Sequence, residues 1–160
     1  MIEEFKADLV TQLLAATGAG EDCEGIRSAR AGDVVPATKD QPGITVDFSG
    51  DLSPVDTGNR VDLSPEFFVV LYMSNLKGHQ ETVAQANNLI LRCTGPGTYR
   101  GLHRFLSRFK RWTDSAGTTW MVTLDPDTDR GSVKDENSKF TSFAVAFRLK
   151  LTTMLNRNQY

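Results

Sequence analysis

Four side chains in this sequence are suited to nucleophilic chemistry: the thiols of Cys23 and Cys93 and the imidazoles of His79 and His103. A cysteine nucleophile needs a base within hydrogen-bonding distance and a third group that orients the base. The positions of these residues indicate no such group, because His79 adjoins a polar helix start and His103 lies in a basic stretch. We therefore predict no catalytic site.

Segment 18–25, with the sequence GAGEDCEG, is the nearest approach to a nucleotide-binding glycine motif. Its third glycine comes two places too late for a dinucleotide fingerprint, and the segment follows a predicted helix, whereas that motif follows a strand. The chain also lacks a phosphate-binding Gly-x-x-x-x-Gly-Lys-Ser/Thr loop and a His-Glu-x-x-His zinc helix. Segment 18–25 is better explained as a helix cap and loop, and no cofactor is predicted.

Segment 125–136 has acidic residues at positions one, three, five and twelve, the spacing of a calcium-binding loop. Position six, where such loops need glycine, is Arg130, and the flanking segments have the pattern of strands rather than helices. Aspartates are also common in turns, where they accept hydrogen bonds from the backbone. We therefore predict a turn here and no metal site.

The most informative polar segment is 99–112, because it combines basic side chains with an apolar stripe at helical spacing. The stripe predicts a short amphipathic helix. The segment has five bases and no acids, and its bases are the candidate contacts to a neighbouring subunit or to DNA. These candidates are Arg100, Arg104, Arg108, Lys110 and Arg111.

Three environments remain open for this basic segment. Its charges are solvated or pair with acids of the same chain, they contact another subunit, or they face the phosphates of DNA. A membrane surface is the weakest alternative, since one short basic helix in an acidic protein gives only marginal affinity for lipid. We predict no membrane partner.

The charge of the chain is unevenly distributed. Its 160 residues carry 18 basic and 20 acidic side chains, for a net charge of −2. Residues 21–66 contain ten acids and four bases, a net charge of −6, whereas residues 100–111 carry +5. Such opposite segments suit complementary partners, including further copies of the same chain.

Two main helices are predicted from apolar residues at three- and four-residue spacing. The first covers residues 2–14 and ends near Thr17-Gly18, and the second covers 81–91 and is stopped by the Gly-Pro-Gly at 95–97.

The composition predicts a single domain, since 39% of the residues are hydrophobic. No apolar run approaches the 20 or so residues of a membrane helix, and we expect synthesis in the cytoplasm.

Four segments have the pattern of strands: 44–48, 67–73, 118–124 and 143–151. The strand over 67–73 is apolar on both of its faces, so it needs a cover on each side, one of which is a neighbouring subunit in our interpretation. The first strand lies in a segment rich in glycine and proline.

These elements predict an α+β fold in the order α-β-β-α-β-β, plus the short basic amphipathic helix. An antiparallel sheet of about four strands would have the two main helices packed on one face. The single domain, 1–160, would have a loop-rich region over 17–66, a hairpin loop over 125–139 and a loose C-terminus over 156–160.

This arrangement resembles the tail-terminator proteins of tailed bacteriophages, and most of all their Mu-like prophage branch. The resemblance rests on the helix 2–14, the segment 43–48, the strand 66–71, the helix 81–91 and the final strand 143–151. The resemblance covers nearly the whole chain. It is based on the order of the elements and not on a sequence motif. The basic, aromatic character of 99–112 departs from it.

The resemblance implies a structural protein without catalytic residues, cofactor or metal. Copies of the chain would form a ring, commonly a hexamer, that caps the tail tube, ends its polymerisation and presents a surface for head attachment. The partners would be the chain itself, the tail-tube protein, a head-completion protein and, in the lumen, DNA. Assembly would occur in the bacterial host cytoplasm, and the product would be part of the virion tail.

Two alternatives accompany this interpretation. Other phage neck or head–tail connector proteins share the small size and α+β character. A nucleic-acid-binding module that uses the 99–112 stretch is the alternative from another functional class.

Overall fold

The computed structural model of the chain describes residues 1–75, 78–134 and 141–156. Within these residues there are three α-helices and eleven strands. The helices are α1 (Ile2–Ala15), α2 (His79–Ile90) and α3 (Leu102–Arg108). The strands are β1 (Ser28–Ala31), β2 (Gly43–Phe48), β3 (Val55–Asp56), β4 (Arg60–Leu63), β5 (Glu66–Ser74), β6 (Arg92–Gly95), β7 (Thr98–Arg100), β8 (Arg111–Thr113), β9 (Thr119–Leu124), β10 (Asp129–Lys134) and β11 (Thr141–Asn156).

The sheet is organised around β11, whose 16 residues make it long enough to pair with four other strands. Along one edge it pairs with β5 and then with β4, and along the other with β10 and then with β9. β4 and β5 are separated by Ser64-Pro65, where the Pro65 carbonyl accepts a hydrogen bond from the Leu151 N–H at 2.9 Å. β2 and β1 extend the sheet beyond β5, β3 extends it beyond β4, and β8 extends it beyond β9.

The prediction of an antiparallel sheet of about four strands with two main helices is wrong. The fold is α+β, but nine strands form one mixed sheet, in which β1 runs parallel to β2, and β6 and β7 form a separate hairpin. The segment 125–139, predicted to be a hairpin loop, contains β10, whereas residues 135–139 lie outside the described residues. β10 is an edge strand that is held by backbone pairing with β11. Its polar sequence, DRGSVK, is therefore compatible with a strand although it has no apolar alternation.

Several predicted elements are confirmed within this larger sheet. The first helix is α1, the second is α2 and the basic amphipathic helix is α3, while the four predicted strands correspond to β2, β5, β9 and β11. The region 17–66 does contain short strands between turns. Of the predicted loose C-terminus, Asn156 ends β11 and residues 157–160 lie outside the described residues.

The core lies between the helices and one face of the sheet, which we call the inner face. Phe5 of α1 is fully buried, with its ring 4.5 Å from that of Phe67 in β5 and 5.2 Å from that of Trp112 in β8. The indole N–H of Trp112 donates a 2.8 Å hydrogen bond to Asp8 of α1. Aromatic packing and this polar contact therefore fix α1 to β5 on one side of β11 and to β8 on the other.

Among the residues that the structure describes, the opposite, outer face of the sheet is covered at one end only. There the segment 32–42 crosses it, and the Gln41 side-chain amide donates to Ser142 Oγ at 2.8 Å and to the Pro36 carbonyl at 2.9 Å. Burial raises the pKa of Tyr72 in this covered region, against the effect of a hydrogen bond with Thr45. None of the helices among residues 1–75, 78–134 and 141–156 has the length and apolarity needed to cross a membrane.

Candidate functional site

Helix α3 carries two of the five basic candidates, Arg104 and Arg108, and a glycine sets its position. Gly101 precedes the helix with φ of 144°, a conformation that strongly favours glycine. A Cβ at this position would collide with the carbonyl of Ile90 at the end of α2. Leu102 and Leu106 are buried, and Phe105 and Phe109 pack against the core, so the predicted apolar stripe is confirmed.

Arg104 is engaged within its own chain. Its Nη1 lies 3.0 Å from both carboxylate oxygens of Asp22, and the Gly101 N–H also donates to Asp22 Oδ1 at 3.3 Å. The Asp22 carboxylate thus satisfies a backbone donor at the start of α3 and binds a cation one turn later. Of the three environments considered for the basic segment, Arg104 shows pairing with an acid of the same chain.

A second ion pair holds region 17–66 through a base that precedes segment 99–112. Arg92 in β6 forms an ion pair with Glu24 at 3.0 Å, and Glu24 also accepts a 3.1 Å hydrogen bond from the Gly20 N–H. Arg100 is half-buried beside Gly20, where a Cβ would lie 2.8 Å from its Nη1. The acidic start of region 17–66 and the basic start of segment 99–112 therefore face each other inside one molecule.

The remaining candidates, Arg108, Lys110 and Arg111, have exposed side chains. Arg108 lines a cleft of about 230 Å³ beside α1, whereas Lys110 lines a groove of about 470 Å³ between α3 and β9. Arg111 lies in β8 directly opposite Met121 of β9. In the described part of the chain these three bases have no ion pair.

The uncovered end of the outer face adds residues that the sequence did not single out. Val55, Asp62 and Met154 lie side by side on β3, β4 and β11, and Val55 is 55% and Met154 64% exposed. In the adjacent row Arg111 and Met121 lie on β8 and β9, with Met121 47% exposed. This row was not detectable from the sequence, because each member is an isolated residue that only the strand register brings together.

The four side chains considered for nucleophilic chemistry have different surroundings. Cys23 is buried, and burial together with the charge of Asp22 raises its thiol pKa to about 12, against the effect of Arg92. Cys93 is exposed, His79 packs edge-on against Phe143, and His103 lies 3.4 Å from Ser107 Oγ. A thiol with a pKa near 12 remains protonated at neutral pH and is a poor nucleophile.

Two acidic side chains of segment 125–136, which resembles a calcium loop, form contacts within the chain. Asp125 accepts the N–H of Asp127 at 2.8 Å in a turn, and Asp129 forms a 2.7 Å ion pair with Arg148. The acid at position twelve, Glu136, lies outside the described residues. Within the described ranges no group of three or more His, Cys, Asp or Glu side chains is placed to hold a metal ion.

Comparison with known proteins gives no family assignment: no family model matches the chain, and no curated protein matches it.

Proposed function

We propose that the protein is a structural component of a phage or prophage tail, a ring-forming terminator that caps the tail tube and presents a surface for head attachment. In this role the chain acts by binding and not by catalysis. It assembles in the bacterial host cytoplasm and becomes part of the virion tail. The partners are further copies of the chain, the tail-tube protein and a head-completion protein.

The observation that supports this proposal most is the partly uncovered outer face of the sheet. On the inner face Phe67, Val69 and Leu71 are fully buried, whereas on the outer face Phe68 and Val70 of the same strand are half-buried. At the uncovered end of the outer face, the side chains of Val55, Met121 and Met154 are exposed. Exposed apolar side chains grouped on one surface are typical of protein–protein contact sites. A sheet face with partly exposed aromatic and aliphatic side chains suits a protein whose task is to bind other subunits.

The distribution of charge supports self-association through unlike patches. Asp22 and Arg104 neutralise each other within the chain, which leaves Arg108, Lys110 and Arg111 exposed at the end of α3 and in β8. A ring is built from heterologous contacts, in which one patch meets a different patch of the next copy. Exposed bases at one edge of the sheet provide one such patch.

The test is the mass of the purified chain, measured by multi-angle light scattering, together with electron microscopy of the same sample. We expect a closed ring of several copies and, when the chain is added to the tail-tube protein from the same genome, shorter tubes with the ring at one end. A chain that remains monomeric at all concentrations, with and without tube protein, would contradict the proposal.

The exposed bases also support contact with DNA, as part of the ring lumen or in a separate nucleic-acid-binding module. Binding through phosphates weakens steeply as salt is added, because cations are released from the DNA. A monomer that bound duplex DNA tightly and with this salt dependence would favour the module. Duplex binding that appears only in the assembled ring would favour the lumen.

A further inference from the structure

At the uncovered end of the outer face, the sheet ends in two edge strands on opposite sides. The strand order across this end is β3-β4-β11-β9-β8, so β3 and β8 are separated by about four strand spacings, roughly 19 Å. No strand beyond β3 or β8 occurs in the described residues. Edge strands of this kind are surfaces on which another chain can pair.

The two edge segments carry opposite charge, and the β3 side also holds one base: Arg60 in β4 is exposed, with its Nη1 3.6 Å from the Met154 sulfur. The segment 51–59, which contains β3, has two acids, Asp51 and Asp56, and no base, and both acids are exposed. The segment 108–113, which contains β8, has the bases Arg108, Lys110 and Arg111 and no acid.

The backbone of β8 is directed to receive a partner. The Lys110 carbonyl accepts the Val122 N–H at 2.9 Å, and the Asp114 N–H donates to the Thr118 carbonyl at 3.0 Å, so both groups point toward β9. Backbone groups alternate in direction along a strand, so those of Arg111 and Thr113 point away from β9. The outward edge of β8 therefore presents hydrogen-bonding groups next to its basic side chains.

Asp62 adds a polar group to the β3 side. Its Oδ1 is buried and has no hydrogen-bond partner in the described part of the chain, although it lies in register between the exposed side chains of Val55 and Met154. A buried oxygen of this kind is costly unless a donor reaches it. On the β8 side, Arg111 and the neighbouring Met121 offer a cationic donor beside an apolar side chain.

We propose that neighbouring copies join edge to edge, with β3 of one copy beside β8 of the next, so that Asp51, Asp56 and Asp62 face Lys110 and Arg111. In that arrangement Arg111 of the next copy lies two strand spacings, about 10 Å, from Asp62, and its long side chain crosses Val55 to reach the carboxylate. Because the two edges are on opposite sides of each copy, the contact is heterologous and leads to a ring or a filament. This inference rests on the proposed ring function and specifies its interface.

The experiment reverses the charge of one edge at a time. The acidic-edge variant is Asp51→Lys/Asp56→Lys, and the basic-edge variant is Lys110→Glu/Arg111→Glu. We expect each variant alone to associate at least tenfold more weakly than the wild-type chain in sedimentation velocity. An equimolar mixture should assemble again, because the new bases of the first variant meet the new acids of the second, while the other two edges keep their native charges.

The matched control is Arg27→Glu/Lys39→Glu, which makes the same change in charge as the basic-edge variant at exposed residues away from both edges. It should assemble as the wild-type chain does, and circular dichroism should show that all variants are folded. If the wild-type chain assembles and both edge variants assemble equally well, the interface is wrong and the ring proposal stands. If each variant alone dissociates and their mixture fails to assemble, the proposed direct pairing of β3 with β8 is wrong. A monomeric wild-type chain contradicts the ring itself.

Discussion

The inner and outer faces of β5 use apolar side chains for different purposes. Phe67 and its inner-face neighbours are completely excluded from solvent and contact the helices. Phe68 and Val70, one residue along from them, point to the outer face and remain half-buried. Since neighbouring residues of a strand point to opposite faces of the sheet, the difference shows which apolar side chains the fold buries completely and which it leaves partly accessible to solvent.

The largest expected loss of stability comes from truncating a phenylalanine on the inner face, and the matched substitution on the outer face is its comparison. Phe67→Ala removes a fully buried ring that lies 4.5 Å from Phe5 and 5.5 Å from Phe48. We expect it to lower the free energy of unfolding by about 3–5 kcal/mol, the usual cost of deleting a buried phenylalanine. Urea denaturation followed by circular dichroism measures this loss.

Phe68→Ala is the matched variant on the outer face. We expect it to cost less than half as much stability, because Phe68 is only half-buried. Equal losses of stability for the two variants would contradict the division of the sheet into a structural and a binding face.

The sequence predicted the inner face well because a strand with one buried face has a strong pattern. β11 alternates from Phe143 to Leu151, and this part was predicted, but the strand runs from Thr141 to Asn156, so its last five residues were missed. α1 was predicted to within one residue. β3 and β10 were missed, since two exposed residues and a polar edge strand have no apolar alternation to detect. What holds those strands is pairing with a neighbour, which is a property of the register and not of their own sequence.

The candidate site was predicted in part. The basic segment and its apolar stripe were readable from spacing, but the separation of Arg104 from Arg108, Lys110 and Arg111 was not. That separation depends on Asp22, which lies 82 positions before Arg104 in the chain. The patch around Val55 and Met154 was likewise invisible, because its members come from distant strands.

The next effect tests whether the Asp22–Arg104 pair belongs to the fold rather than to an interface. Asp22→Asn removes the charge that binds Arg104 and weakens the acceptor for the Gly101 N–H. The pair is only partly exposed, so we expect a loss of about 1–2 kcal/mol in unfolding free energy with no change in self-association. Glu21→Gln, an exposed neighbour, should leave both unchanged, and a selective loss of assembly in Asp22→Asn would place this pair at an interface instead.

A smaller effect concerns pH. Burial alone would raise the pKa of Asp114, but hydrogen bonds from the Trp120 indole and from the N–H groups of Thr118 and Ala116 outweigh it, so the pKa falls below its usual value of 3.8. The unfolded chain then binds more protons than the folded one near this pH. The stabilisation from Asp114 is complete above 3.8 and is lost as the pH falls through the lowered pKa.

Stability measured by urea denaturation between neutral and acidic pH checks this. Asp114→Asn should reduce the acid-dependent loss of stability, because the side chain no longer titrates, and the inner-face Trp120 should keep only a weaker hydrogen bond. A variant whose acid limb matches that of the wild-type chain would show that this carboxylate does not contribute to the pH dependence.

The smallest expected effect on stability is also the sharpest test of the outer face. Met154→Ser shortens a side chain that is 64% exposed, so the free energy of unfolding should change by no more than about 0.5 kcal/mol. If the β3 side of the sheet binds the next copy, the same substitution removes apolar area from that contact, and self-association should weaken severalfold in sedimentation velocity. Leu14→Ser, at an exposed position of α1 away from this end of the sheet, is the control and should leave association unchanged. If Met154→Ser associates as well as the Leu14 variant does, then the exposed methionine at this end is ordinary surface and takes no part in self-association.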